Sequence, residues 1–163
     1  MTSPDRDDER RSSGRPLRPD ELAFICEARV GRLATVDARN RPRVVPFCFA
    51  VIGDDAPIVV SALDEKPKRV ADEDLARVRN IEANPAVCFV VDRYDEDWSR
   101  LAFVQVRGRA RLVPAESEGH AGAVAALREK YPQYDSMAIE RRPLIVIEGL
   151  RAVSWRGDGG SFA

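Results

Sequence analysis

Three cations, Lys66, Lys68 and Arg69, fall within four residues around Pro67. They follow a short apolar run, Ile58 to Ser61, whose last residue offers a hydroxyl. A second apolar run, Val44 to Ile52, precedes it across a turn at Gly53-Asp54-Asp55. Clustered cations grip a phosphate through charge-assisted hydrogen bonds. A proline in the turn lowers the entropy lost in holding them together. An apolar strand beside them offers a wall for a ring. Arg43, at the start of the neighbouring strand, is placed to converge on the same point. The combination suits a ligand with a phosphate at one end and a flat ring at the other, the chemistry of a flavin-like cofactor. An ordinary exposed turn is the competing reading.

A second cationic feature is the alternating row Gln105, Arg107, Arg109 and Arg111, which shares one face of a strand. It reads either as a solvent face kept charged against aggregation or as a face turned toward a second subunit and its bound anion. Arg77 and Arg79 extend the cationic path. Trp98 and Trp155 are available as ring walls, with a core or subunit contact as the plainer role.

Other chemistries are thinly supplied. His120 is the single histidine and reads as an exposed surface residue. One imidazole with no cysteine cluster builds no zinc site. Glycine-rich dinucleotide and P-loop patterns are absent from the sequence. Asp92, Asp95, Glu96 and Asp97 lack the glycine and terminal glutamate of a calcium loop and read as solvated. Cys26, Cys48 and Cys88 are far apart, without Cys-x-x-Cys spacing, and read as buried, reduced small hydrophobes of a cytosolic protein. An active site here must use chemistry that a cofactor brings.

The elements that must position these groups follow from pattern. The chain has 163 residues, 44% apolar, 33% charged, with a formal net charge of −1, enough for one domain with a core. That charge favours neither nucleic acid nor an anionic membrane, and no aromatic stacking platform supports a nucleic-acid binder. No apolar run approaches the roughly 18 residues of a membrane span. Residues 1–17 read as a polar tail, 18–157 as the domain and 158–163 as a flexible end. Pro19-Asp20 opens a helix with Leu22, Ile25 and Cys26 on one face. Strands are expected at Arg32 to Asp37, at Val44 to Ile52 (with Pro46 marking an edge, bulge or ladder break), and at Pro57 to Ser61. A helix starting near Asp72 or Asp74 carries Leu75, Val78 and Ile81 and stops at Asn84-Pro85. Ala86 to Val91 and Leu101 to Val113 are strands, Glu116 to Lys130 a helix and Leu144 to Trp155 the last strand. Hairpin-type connections without βαβ alternation predict a mainly β fold, an antiparallel barrel with peripheral helices.

The ordered set Val30-Gly31-Arg32-Leu33-Ala34-Thr35-Val36-Asp37, Arg41 to Pro46, the Ser61 to Arg69 turn, Asn80 to Val87 and Val106 to Ala110 resembles the pyridoxamine 5′-phosphate oxidase-like split-barrel proteins. The resemblance spans about Arg18 to Arg156 and leans to the actinobacterial branch of deazaflavin (coenzyme F420)-dependent reductases. It implies a six-stranded split barrel, the FMN-binding split barrel, working as a homodimer with cofactor sites between subunits. It places the phosphate on Lys66, Lys68 and Arg69 and the ring against Val45, Pro46, Phe47 and Cys48, with Val60 and Ser61 beside them. Trp98, Gln105 and Trp155 would come from the partner subunit. No arginine-histidine region follows Trp155, so oxidation of pyridoxamine phosphate is not expected. The expected activity is hydride transfer from F420, with FMN as the alternative carrier, to a small electrophilic substrate. A non-catalytic module storing a cofactor or tetrapyrrole is the second reading.

Overall fold

The computed structural model describes residues 14–63, 71–160 and 162, with backbone alone for 71–75. Helix α1 (Pro19–Glu27) starts as predicted: Pro19 needs no hydrogen-bond partner for its nitrogen, and the Glu21 carboxylate accepts from the Arg18 N–H at 2.9 Å. Its buried face differs from expectation. Glu21 and Ile25 point inward, whereas Cys26 is exposed. Cys48 and Cys88 are only half-buried, so the reading of three buried cysteines is corrected. Cys26 lies on the outer side of α1, Cys48 in the link after β2 and Cys88 on alternating β5, and apolar neighbours in sequence need not share a face.

Seven strands form one antiparallel sheet: β1 (Gly31–Val36), β2 (Pro42–Phe47), β3 (Ala50–Ile52), β4 (Ile58–Ala62), β5 (Ala86–Arg93), β6 (Ala102–Val113) and β7 (Leu144–Arg156). Their order is β2-β1-β5-β6-β7-β4-β3. Helix α2 (Ala71–Ala83) links β4 to β5, and helix α3 (His120–Lys130) links β6 to β7. The expected barrel of six strands is corrected to seven because the run Val44 to Ile52 is two strands. β2 pairs with β1 at one edge of the sheet and β3 with β4 at the other. Only Cys48 and Phe49 separate them, so the two edges approach within at most about 11 Å there. The chain stitches the rolled sheet covalently where no β2–β3 ladder closes it among the described residues. Pro46 sits on the edge strand, where its missing N–H costs no ladder bond.

Two apolar clusters lie on opposite faces of the sheet. Leu33, Phe47, Phe49, Phe89, Val106, Ile145 and Ile147 fill the inside of the roll. Val60, Leu127, Tyr131, Tyr134, Leu144 and Val146 pack under α3. β4 and the first four residues of β7 are covered on both faces, which explains why they read as unbroken apolar runs. Elsewhere the alternation is clean. In β6 Ala102, Val104, Val106 and Ala110 are buried, while Arg107, Arg109 and Arg111 are exposed. Gly108 sits at a register shift where an added Cβ would lie 2.6 Å from Ile147.

α3 starts four residues later than the expected Glu116, after Gly119 turns the chain at φ +82°. That turn sends His120 inward, not to solvent. It is 3% exposed, and its Nε2 lies 2.8 Å from the Arg142 carbonyl. The expectation of a surface histidine is therefore corrected.

Candidate functional site

The β2–β3 crossover forms one wall of a cavity of about 250 Å³. Pro46, Phe47 and Cys48 supply that wall, with Val30 beside them. Ser61 and Ala62 come from the end of β4, Arg77 from α2, and Tyr134 from the 3₁₀ turn Pro132–Ser136. The Ser61 hydroxyl donates to the Cys48 carbonyl at 2.7 Å. This bond ties β4 to the crossover and fixes the wall. Gly31 makes room for the same wall: a Cβ there would meet the Phe47 ring at 2.7 Å.

Arg77 is 6% exposed and carries the one charge among the described lining residues. A guanidinium in a wall otherwise built of apolar groups and hydroxyls favours an anionic ligand there. α2 turns its adjacent face, Ala76, Arg79, Asn80 and Ala83, to a second cleft of about 650 Å³. The β1–β2 hairpin lines its other side with Asp37, Arg39, Arg41 and Arg43. Asn80 donates to the Thr35 hydroxyl at 3.0 Å, which sets α2 against β1. Asp37 accepts from the Arg41 N–H at 2.9 Å and from its guanidinium at 2.8 Å. These bonds, the N–H foremost, hold its carboxyl down at about 2. Four arginines against one committed aspartate leave the cleft strongly basic.

Of the expected site residues, Pro46, Phe47, Cys48 and Ser61 meet in the smaller cavity. Arg43 lies in the basic cleft. Val45 is half-buried on β2, opposite Leu33. Val60 is fully buried and lines a separate small void with His120. Lys66, Lys68 and Arg69 lie outside the described residues.

The three residues expected from the partner sit elsewhere. Pro46, Arg32, Val90, Gln105 and Val153 form one cross-strand row on the sheet's outer face. Three strand spacings, roughly 14 Å, separate Gln105 from Pro46. Gln105 donates to the Cys88 sulfur at 3.3 Å. Trp155 is 49% exposed and stacks on Phe103 with ring centroids 6.3 Å apart. Trp98 is 71% exposed on the short turn before β6. Val44 and Val153 are also exposed, so this outer face carries open apolar side chains among Arg32, Gln105 and Arg107.

Sequence reasoning noted Arg77 only as an extension of a cationic path and did not single out Tyr134. Both reach the cavity from elements distant in sequence. The spacing Tyr131-Pro132-Gln133-Tyr134, two rings three residues apart flanking a proline, was the available signal of a 3₁₀ turn with paired aromatics.

The cavity and the cleft sit on a rolled, unclosed antiparallel sheet with peripheral helices. A family profile described as pyridoxamine 5′-phosphate oxidase matches residues 17–156, and the chain belongs to that family. It is 29% identical over 100 residues to a 5a,11a-dehydrotetracycline/5a,11a-dehydrooxytetracycline reductase of Streptomyces rimosus, covering 61% of this chain and 66% of that enzyme. The chain thus matches just under two-thirds of the length of that curated relative. Similar solved structures include a conserved hypothetical protein of Mycobacterium tuberculosis (TM-score 0.65, 20% identity, 90% of this chain and 88% of that one). The haem storage protein HutZ of Vibrio cholerae has a TM-score of 0.57 at 20% identity, over 86% of this chain and 94% of that one. An F420 reductase has a TM-score of 0.55 at 22% identity, over 85% and 98% of the two chains. At these identities the structures share the fold.

Proposed function

We propose that the protein is an F420-dependent oxidoreductase acting on a small electrophilic substrate. The buried Arg77 guanidinium, set between an apolar ring wall and a basic cleft, carries the reading. A planar anionic carrier needs those three features side by side. When bound, the deazaflavin supplies the hydride. Pro46, Phe47 and Cys48 would flank its ring, Arg77 would hold its phosphate, and Arg43 and Arg79 would meet its acidic tail. The turn bearing Lys66, Lys68 and Arg69 follows Ser61 and Ala62 within a few residues and would add cations at the same end. The similarity to the S. rimosus reductase supports the redox class.

The working unit in this reading is a homodimer. The outer face, with exposed Val44, Val153 and Trp155, would pair with itself, and Trp98, Gln105 and Trp155 would reach the partner's cavity. The setting is cytoplasmic; no helix among the described residues is long and apolar enough to cross a membrane.

FMN is the alternative carrier. Titrating each into the purified protein and following its fluorescence decides between them: saturable F420 binding is expected, and tight FMN binding without F420 binding reverses the choice. A haem-storage reading, raised by the HutZ likeness, lacks an imidazole at the cavity, since the single histidine is bonded to Arg142 elsewhere. Haemin binding at one per chain without turnover of any activated alkene would favour it.

A further inference from the structure

Lys130, the last residue of α3, has a buried nitrogen with no hydrogen-bond partner among the described residues. No described carboxylate pairs with it. Its Nζ lies over the Phe49 ring, 4.2 Å from the centroid, with the Tyr131 centroid 5.6 Å away. Enclosing an ammonium without an acceptor is costly. Burial accordingly lowers the pKa of Lys130, and the Arg29 guanidinium pushes the same way, whereas the Cys26 and Cys48 thiols push back. The carbonyl end of α3 and the two ring faces favour the cation. A polar group placed against local stability in this way calls for a role.

The ring that Lys130 covers belongs to the crossover. Phe49 stacks on Phe47, with centroids 5.1 Å apart and planes at 27°. Phe47 lines the smaller cavity, and so does Cys48, which stands between the two phenylalanines in the chain. The ammonium therefore lies no farther from the Phe47 ring than those two distances taken together. Phe49 is wholly buried and Phe47 nearly so, so little water stands between the charge and the wall to screen it. A fixed positive charge behind such a wall stabilises electron density gathered against its open side.

We propose that Lys130 biases the cavity toward the reduced form of the carrier. This rests on the redox-carrier reading above. The reduced form is the oxidised ring plus one hydride, two electrons and one proton, and the density added to the ring is what the Lys130 charge favours. Lys130 is not a catalytic residue. It acts through its field across Phe49 and Phe47. Cys48 lies in the same field and reports it without any carrier, because a nearby cation favours the thiolate over the thiol.

Lys130→Met removes the charge and keeps a flexible apolar stem; Lys130→Arg keeps the charge. In the carrier-free protein, alkylation of Cys48 by iodoacetamide should slow about threefold in Lys130→Met, read by peptide mass mapping with Cys88 as the internal control. Equilibrium dialysis with oxidised and with reduced F420 should show unequal changes. The preference for the reduced form should fall about fivefold in Lys130→Met, and Lys130→Arg should retain most of it. The gap between wild type and Lys130→Met should narrow as pH rises from about 6 to about 10, where lysine sheds its proton and methionine has none to shed. Lys130→Gln serves the same readouts should the methionine variant not fold. If FMN alone binds, the ratio is read on FMN. An unchanged Cys48 rate, or equal loss of affinity for both forms of the carrier, would overturn the proposal. A wild type that binds neither F420 nor FMN, with Cys48 still slowed in Lys130→Met, would bring down the cofactor reading and the redox bias with it.

Discussion

Arg77 and Tyr134 line one cavity, from α2 and from the turn after α3. Arg77→Met should weaken F420 binding by about 2–3 kcal/mol, the scale of a lost charge-assisted bond to an anion. Arg77→Lys should recover part of it, since an ammonium keeps the charge but not the forked geometry. Fluorescence titration checks both, and equal affinity in wild type and Arg77→Met would remove the residue from the site. Gly31 acts on the site through shape. Gly31→Ala must displace the Phe47 ring, 2.7 Å from the new methyl. The expected result is a measurable loss of both thermal stability and cofactor affinity.

At the scale of elements, the β2–β3 crossover positions the ring wall and Tyr131 holds it. Tyr131→Phe leaves the Phe49 N–H and carbonyl without their hydroxyl partner. The expected loss is about 1–3 kcal/mol by urea unfolding, with a drop in cofactor affinity because Cys48 adjoins Phe49. The α1 end is held by Glu21. Burial there opposes the charged form, but the Arg15 guanidinium at 2.6 Å, the Arg18 N–H and the Ser154 hydroxyl outweigh it and bring the carboxyl from 4.5 down to about 2. A folded-state value below the unfolded one means that the stabilisation is complete above about pH 4.5 and fades as pH falls toward 2. Urea midpoints from pH 7 down to 2.5 should fall more steeply in wild type than in Glu21→Gln. Parallel curves would show that Glu21 does not set the acid limb.

Much of this architecture was legible. Alternation along β6, the stop at Asn84-Pro85, and the turn before β4 were all written in residue order. The crossover was not. Cys48 and Phe49 are apolar like the strands they join, so periodicity saw one run where the chain changes sheet edges; only Pro46 hinted at an edge. His120 was misread because its burial follows from the Gly119 turn and a carbonyl 22 residues away. The cavity wall from Pro46 to Cys48 was legible because it is one contiguous segment. The Arg77 charge and the Tyr134 ring in the cavity were not, because both reach it only through tertiary packing.

For the whole molecule, the proposed homodimer would cover the exposed Val44, Val153 and Trp155. Trp155→Glu should shift the protein from dimer to monomer in sedimentation velocity and weaken F420 binding with it. A stable monomer that binds F420 as tightly as wild type would separate the site from the dimer. The central claim is that a planar anionic redox carrier lies against the crossover with its acid end on Arg77. A crystal soaked with F420 tests it most directly. Density for the ring along Pro46 to Cys48, with the phosphate at the Arg77 guanidinium, is the predicted result; a ring bound elsewhere, or a cavity left empty at saturating F420, would contradict it.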